Sequence, residues 1–237
     1  MFTYKGISAK DMHLRVLNNM SFSSPTRDIN MIQVPGRDGD LVMDNGRFNS
    51  VIRSIPCRVE VPNGVDVEKA INNINNWLID DGCLHEFEWD GDSEYGYLAR
   101  VSDDVVSHRL LSRLGTTTID FRLHPIKYLR SSLIARSVVD GESIMNRFAI
   151  NAKPILRVEG EGNITIDIGG RPLILERIGN GGCIIDSEAQ TITDLAGTIT
   201  LFERMRSPFP ILKPGNNTIT ITGNAQISIA PRFGVLV

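Results

Sequence analysis

Cysteine is scarce in this chain. Cys57, Cys83 and Cys183 are an odd number without metal-site spacing. That excludes a disulfide scaffold and suits small apolar side chains in a reducing compartment. No sign of charge dominates: the net charge is −3 and the pI about 5.8. A whole-protein electrostatic grip on nucleic acid or anionic lipid is therefore not expected. Aromatic residues make up only 6%. No Trp or Tyr follows Tyr128, so the C-terminal half is a thin platform for stacking sugars. No run approaches the ~18 apolar residues of a membrane span. The opening MFTYKGISAKDMHLRVL lacks an apolar signal core, so folding in a cytoplasm and no membrane partner are expected.

What remains is mostly strand. The 237 residues suffice for one large domain or two ordinary ones. Met31–Val34, Leu41–Asp44, Val51–Val61, Leu84–Trp89, Tyr97–Ser102 and Thr116–Leu123 are rich in β-branched and aromatic residues between turn formers. In SVIRSIPCRVEV one face is apolar, and Pro56 calls for an edge or a bulge. One helix is expected in DVEKAINNINNWLIDDG. Val67, Ala70, Ile71, Ile74, Trp77 and Leu78 form its stripe, Asp66 its N-cap and Gly82 its stop. Around Ser131–Asn151 the pattern weakens, which places a domain boundary at 140/141. Beyond it Asn163–Ile168, Leu173–Ile178, Cys183–Asp186, Thr198–Phe202, Asn217–Thr222 and Gln226–Ala230 read as six short strands of a sandwich. SPFPILKPGNNTITITG, Ser207–Gly223, fits this plan. Its prolines keep Ser207–Lys213 extended but outside a central strand, and Pro214–Asn217 turns into a strand with Ile219 and Ile221 inward.

Catalytic patterns are not evident. His13, His85, His108 and His124 form no metal array. In EWDGDSEYG, Asp90, Asp92 and Glu94 imitate the start of a calcium loop. Tyr95 stands where its glycine belongs and Val101 where its closing glutamate belongs, so a hairpin loop is the better reading. GRDGD, Gly36–Asp40, lies between strands, not before a helix, and is no phosphate loop. No serine elbow occurs, and nothing marks a carboxylate pair for a cell-wall hydrolase. Catalytic, cofactor-binding and metal-binding residues are thus expected to be absent, and the chain is not expected to be an enzyme. The basic stretch His108–Arg130 reads first as strands and a loop with a charged outer face, second as a partner contact. Arginine suits interfaces. Arg37, Asp38, Arg53, Arg58, Arg109 and Arg113 are accordingly the candidate subunit-contact residues.

The C-terminal half carries NAKPILRVEGEGNITIDIGG, CIIDSEAQTI and FPILKPGNNTITITGNAQISIAPRF in that order, and VPGRDGDLVMDNG lies in the first half. In order and spacing these resemble the distal tail protein (Dit) family of long-tailed phages of Gram-positive bacteria. The resemblance implies a mainly β chain. Residues 1–140 would be a ring-forming, tail-tube-like β-sandwich with one α-helix, and residues 141–237 a galectin-like or carbohydrate-module-like β-sandwich. It further implies a virion location, assembly in the host cytoplasm, and a homo-hexameric ring joining the tail tube protein to the tail-tip hub. Tape measure and receptor-binding proteins are further partners that it suggests, with DNA only in transit through the lumen. The competing reading is a carbohydrate-binding or host-receptor adhesion module, which needs a sugar platform.

Overall fold

The computed structural model describes residues 1–17, 23–79, 81–102, 114–179 and 181–237. Two compact units share the chain: Met1–Lys127 with Leu236–Val237, and Tyr128–Val235. The division at 127/128 precedes the 140/141 boundary expected from the weakening pattern. The irregular stretch already belongs to the second unit, where a 3-10 turn at Arg130–Leu133 leads into a strand of its sheet.

In the first unit the elements are β1 (Phe2–Tyr4), β2 (Ile7–Ser8), β3 (Leu14–Val16), β4 (Arg27–Ile32), β5 (Leu41–Phe48), β6 (Val51–Glu60), α1 (Val67–Trp77), β7 (His85–Trp89), β8 (Tyr95–Val101) and β9 (Leu114–Leu123). Then β10 (Ile126–Leu129) carries the chain across the division. One sheet runs β2-β1-β7-β8-β9-β6-β3, and among the described residues β4 pairs only with β5. The longest ladder joins β6 to β9 over ten pairs, Val51↔Leu123 to Glu60↔Leu114.

Alternation sends Val51, Ile55, Cys57 and Val59 inward from β6, as a strand's period of two requires. Pro56 sits neither on an edge strand nor at a bulge. Leu17 N–H donates to the Pro56 carbonyl, so that residue's polar side faces β3. The β3 ladder ends at Val16↔Cys57, and the missing N–H falls just past it.

The sheet curls around an aromatic core. Phe2 on β1 and Phe121 on β9 have centroids 5.5 Å apart, and Tyr4 and Phe121 5.1 Å. Two strands lie between them in the sheet order, and a flat sheet would hold them roughly 14 Å apart. Ala70, Ile74 and Trp77 of α1 are buried with these rings. Asp66 caps the helix by accepting from the N–H groups of Glu68 and Lys69 at 2.9 and 3.3 Å. The helix ends at Trp77, before Gly82, with Leu78 as its C-cap. There the indole packs on Phe2 and its N–H donates to the Tyr4 carbonyl at 2.9 Å.

The second unit contains β11 (Arg136–Val138), β12 (Ser143–Asn146), β13 (Ile155–Gly160), β14 (Gly162–Ile168), β15 (Pro172–Ile178), β16 (Gly182–Asp186), β17 (Thr191–Asp194), β18 (Gly215–Thr222) and β19 (Ala225–Ala230). From there β20 (Gly234–Leu236) returns the chain to the first unit. Two sheets, β11-β19-β13-β16-β17 and β12-β18-β14-β15, enclose one core. Leu156, Val158, Ile185 and Ile229 come from one sheet; Ile164, Ile166, Leu175 and Ile219 from the other. The sequence missed β13, and it expected a strand at Thr198–Phe202. The structure has one bridge, Thr193↔Thr200, and a 3-10 turn at Phe202–Arg204. The Asp194 carboxylate accepts from the N–H groups of Thr198 and Ile199, and this tight turn outcompetes a regular ladder. At Gly182, φ is +143° and a Cβ would stand 2.0 Å from the Val158 carbonyl oxygen, so only glycine fits.

Two buried asparagines hold the proline-rich segment. Asn217 accepts from Lys213 N–H at 2.9 Å and donates to the Lys213 and Gly215 carbonyls at 2.8 and 3.0 Å. Asn146 donates to the Leu212 carbonyl at 3.0 Å. Leu212 and Ala152 exchange two backbone hydrogen bonds of 2.9 Å. Ser207–Lys213 thus lies outside the regular strands, as expected, with one isolated bridge at Leu212. Ile219 is fully buried, Ile221 only partly.

Trp77→Ala should lower unfolding stability by roughly 3–5 kcal/mol through cavity formation and the lost indole hydrogen bond, read from urea denaturation. A second test concerns Asp186, which Arg232 grips at 2.6 and 2.9 Å and which accepts from the N–H groups of Glu188 and Ala189. Burial pushes its pKa up, but these donors outweigh burial and hold it below the ordinary carboxylate value. A depressed pKa stabilises the fold above the unfolded value of about 3.9 and loses that contribution as pH falls through the folded value. Melting temperature should therefore fall more steeply below about pH 4 in the native chain than in Asp186→Asn.

Candidate interaction surface

The β4–β5 hairpin is the feature that a self-contained fold does not explain. Its base is polar. Arg27 forms a fork on Asp44, with Nε and Nη2 at 2.9 and 2.7 Å from Oδ2, and lies over the Phe48 ring. Arg47 Nε reaches Asp28 at 2.5 Å. These arginines hold the Asp28 and Asp44 carboxyls below their ordinary pKa, chiefly by side-chain hydrogen bonds. Beyond the base the ribbon is apolar on both faces. Cross-strand partners share a face. Met31↔Val42 and Ile29 therefore lie on one face, and Ile32↔Leu41 and Met43 on the other. All six are exposed; Met31 is 63% and Val42 56% accessible.

A two-stranded ribbon is marginal in water by itself. One that exposes apolar side chains on both sides is suited to being covered on both sides. The sequence showed this in part. Met31–Ile32 and Leu41–Val42–Met43 are consecutive apolar residues that break the period of two, which is the pattern of a strand buried on both faces. These residues were read only as strands, not as a contact surface.

Four of the six arginine and aspartate candidates lie among the described residues, and they do not share one element. Arg37 and Asp38 are exposed in the turn between β4 and β5 and lie on the hairpin itself. Arg58 is exposed on β6, 3.9 Å from Glu60. Arg53 is different: it is 6% accessible and its guanidinium lies over the Tyr97 ring at 5.6 Å, inside the unit. Arg109 and Arg113 lie outside the described residues.

The acidic loop is the hairpin turn between β7 and β8. Its Asp92 carboxylate turns onto Lys127 Nζ and the Tyr97 hydroxyl. Burial raises the Asp92 pKa, and the Lys127 and Tyr97 hydrogen bonds outweigh it, for a net depression. Lys127 also lies over the Tyr95 ring at 4.6 Å, so the end of the basic stretch serves the fold. His85 pairs with Asp81, and His124 Nδ1 lies 2.9 Å from the Ile126 carbonyl. Among the described residues no group of three metal-ligating side chains converges, and no helix is long and apolar enough to cross a membrane.

No protein-family model matches the chain, and no curated protein does. Solved structures do. The crystal structure of the Dit protein (gp 19.1) of phage SPP1 aligns with a TM-score of 0.71 over 96% of both chains, at 14% identity. It is described as a paradigm of the hub adsorption apparatus in phages infecting Gram-positive bacteria. The chain has the Dit fold. The phage p2 baseplate in its activated conformation with calcium gives a TM-score of 0.49 at 10% identity over 96% of both chains. The strontium form gives 0.48 at 11%, over 92% of this chain and 90% of that one. The fold assignment rests on the SPP1 protein. With both units covered, the mainly β class, the sandwiches and the single helix follow the expected plan.

Within this Dit fold the thiols serve packing. Cys57 and Cys183 are fully buried, and burial pushes both thiols up to about 12. Cys83 is exposed. Ellman's reagent should titrate one thiol per native chain and three in guanidinium; a second fast thiol in the native state would contradict the packing.

Proposed function

We propose that this protein is a structural component of a phage tail tip. It closes into a homo-hexameric ring between the tail tube and the tail-tip hub, and DNA crosses the lumen. The observation that carries this reading is the β4–β5 ribbon, apolar on both faces and paired with no other strand among the described residues. In a cyclic assembly each protomer offers the same arm to the next, and the ribbon is covered without leaving a free copy. The Dit fold supports the reading, since the SPP1 protein that shares it belongs to an adsorption hub. The mildly acidic net charge supports it too, because a lumen that neutralised phosphates would bind DNA through counterion release and retard it. On this reading the first unit forms the ring. Arg37, Asp38 and Arg58 remain contact candidates, with the tube protein and hub as axial partners.

Purified protein, with its tube partner added, should give a species of about six monomer masses of 26.3 kDa by light scattering, and rings in negative stain. The double variant Met31→Lys, Val42→Glu replaces an apolar cross-strand pair by an ion pair, so the hairpin can persist while one face loses its apolar character. It should melt like the native chain and remain monomeric. A native chain that stays monomeric with its partner present, or rings that survive the double variant, would sink the proposal.

A further inference from the structure

The two sides of the second unit's sandwich are finished differently. On one side the segment 195–207 covers both edge strands. Thr200 bridges to Thr193 of β17, Met205 bridges to Leu175 of β15, and Arg206 N–H donates to the Ile174 carbonyl at 2.9 Å. On the other side β11 and β12 end their sheets, and among the described residues nothing pairs with their outer edges. Natural sheets usually cover or charge such edges. This side is apolar instead. Ile134 is 71% and Val139 68% accessible, and Leu133 and Met145 are also exposed. A groove of about 450 Å³ runs along it, with Ile134, Met145, Phe148 and Phe233 as apolar lining and Arg136 and Arg147 as charges. The Phe148 and Phe233 rings pack at 6.0 Å and give it a firm floor.

Charge decides what fits. Two carboxylates stand in the β11–β12 connection and both are engaged: Glu142 accepts from Arg136 Nη1 at 2.5 Å and from Val139 N–H at 3.2 Å, and Asp140 accepts from Ile221 N–H at 2.7 Å. The Arg136 and Val139 bonds hold the Glu142 pKa below the ordinary glutamate value. Arg147 is exposed, and no described carboxylate pairs with it.

We infer that the β11 edge and its groove dock an extended segment of a partner protein, which adds a strand beside Ile134–Val138, seats an apolar side chain among Ile134, Met145 and Phe148, and brings a carboxylate to Arg147. Backbone hydrogen bonds would supply affinity, and the alternate side chains would supply selectivity. A charge-assisted Arg–carboxylate contact is the strong polar element of such a pair. The surface lies wholly in the second unit and is independent of ring closure through the β4–β5 ribbon.

The probe is a blocked eight-residue peptide alternating valine with threonine and glutamate, titrated into the full chain by fluorescence anisotropy. A companion peptide carries lysine in place of glutamate. Saturable binding of the acidic peptide is expected, weaker by about tenfold or more in Arg147→Glu, whose exposed position leaves the melting temperature unchanged. Amide shifts in a residue-resolved NMR titration should map to residues 133–148. No saturable binding, equal binding of the lysine peptide, or unchanged affinity in Arg147→Glu would overturn the inference. So would self-association of the double variant Met31→Lys, Val42→Glu that Ile134→Asp abolishes, because the occupant would then be a second copy of this chain.

Discussion

A two-stranded ribbon has two faces and no interior, and in this chain both faces of the β4–β5 ribbon carry apolar side chains. Burial of such surface is worth about 25 cal/mol per Å², so leaving it in water is a standing drive toward association. The polar base works against collapse onto the parent unit. Arg27 on Asp44 and Arg47 on Asp28 tie the strands to each other. The result is an arm aimed at something other than its own core, and the ring reading grows from that constraint.

The rest of the molecule leaves association to the surface because each unit closes its own core. In the first, a sheet curled about Phe2, Phe87 and Phe121 is covered by Trp77 and its helix. In the second, two sheets interlock through isoleucines and leucines, and Asn146 and Asn217 bind the proline-rich approach to β18. Buried amides of this kind specify one arrangement, because an unsatisfied buried donor or acceptor costs about 1–3 kcal/mol.

The sequence made some elements legible and hid others for identifiable reasons. The helix was readable because six apolar residues repeat at helical spacing after an Asp cap. Its end falls at Trp77, with Leu78 as C-cap, several residues before the expected stop at Gly82. Strands β14, β15, β16, β18 and β19 are short β-rich runs between turn formers and were readable. The strand at Ile155–Gly160 lies between turn-rich EGEGN and a proline and was not. Thr198–Phe202 has strand-forming residues, but Asp194 bends the backbone there into a turn. The division at 127/128 and the boundary expected at 140/141 enclose Arg136–Val138, a short strand whose partner β19 lies some ninety residues on, a pairing that no local pattern announces. Arg53 resembled a surface charge on an alternating strand, yet it falls on the inward parity and ends above Tyr97.

By itself the sequence determined the class of the fold, because alternation and helical periodicity are local and follow from the geometry of strand and helix. It also determined the absence of recognisable catalytic spacing and, through the order of its C-terminal segments, the resemblance to the Dit family. Which edges are covered, which arginine is buried, and which strands pair with nothing but each other were decided only in three dimensions. Those properties depend on residues far apart in the chain meeting or failing to meet. The apolar ribbon and the open β11 edge are both of that kind: the same residues in a central strand would have been core.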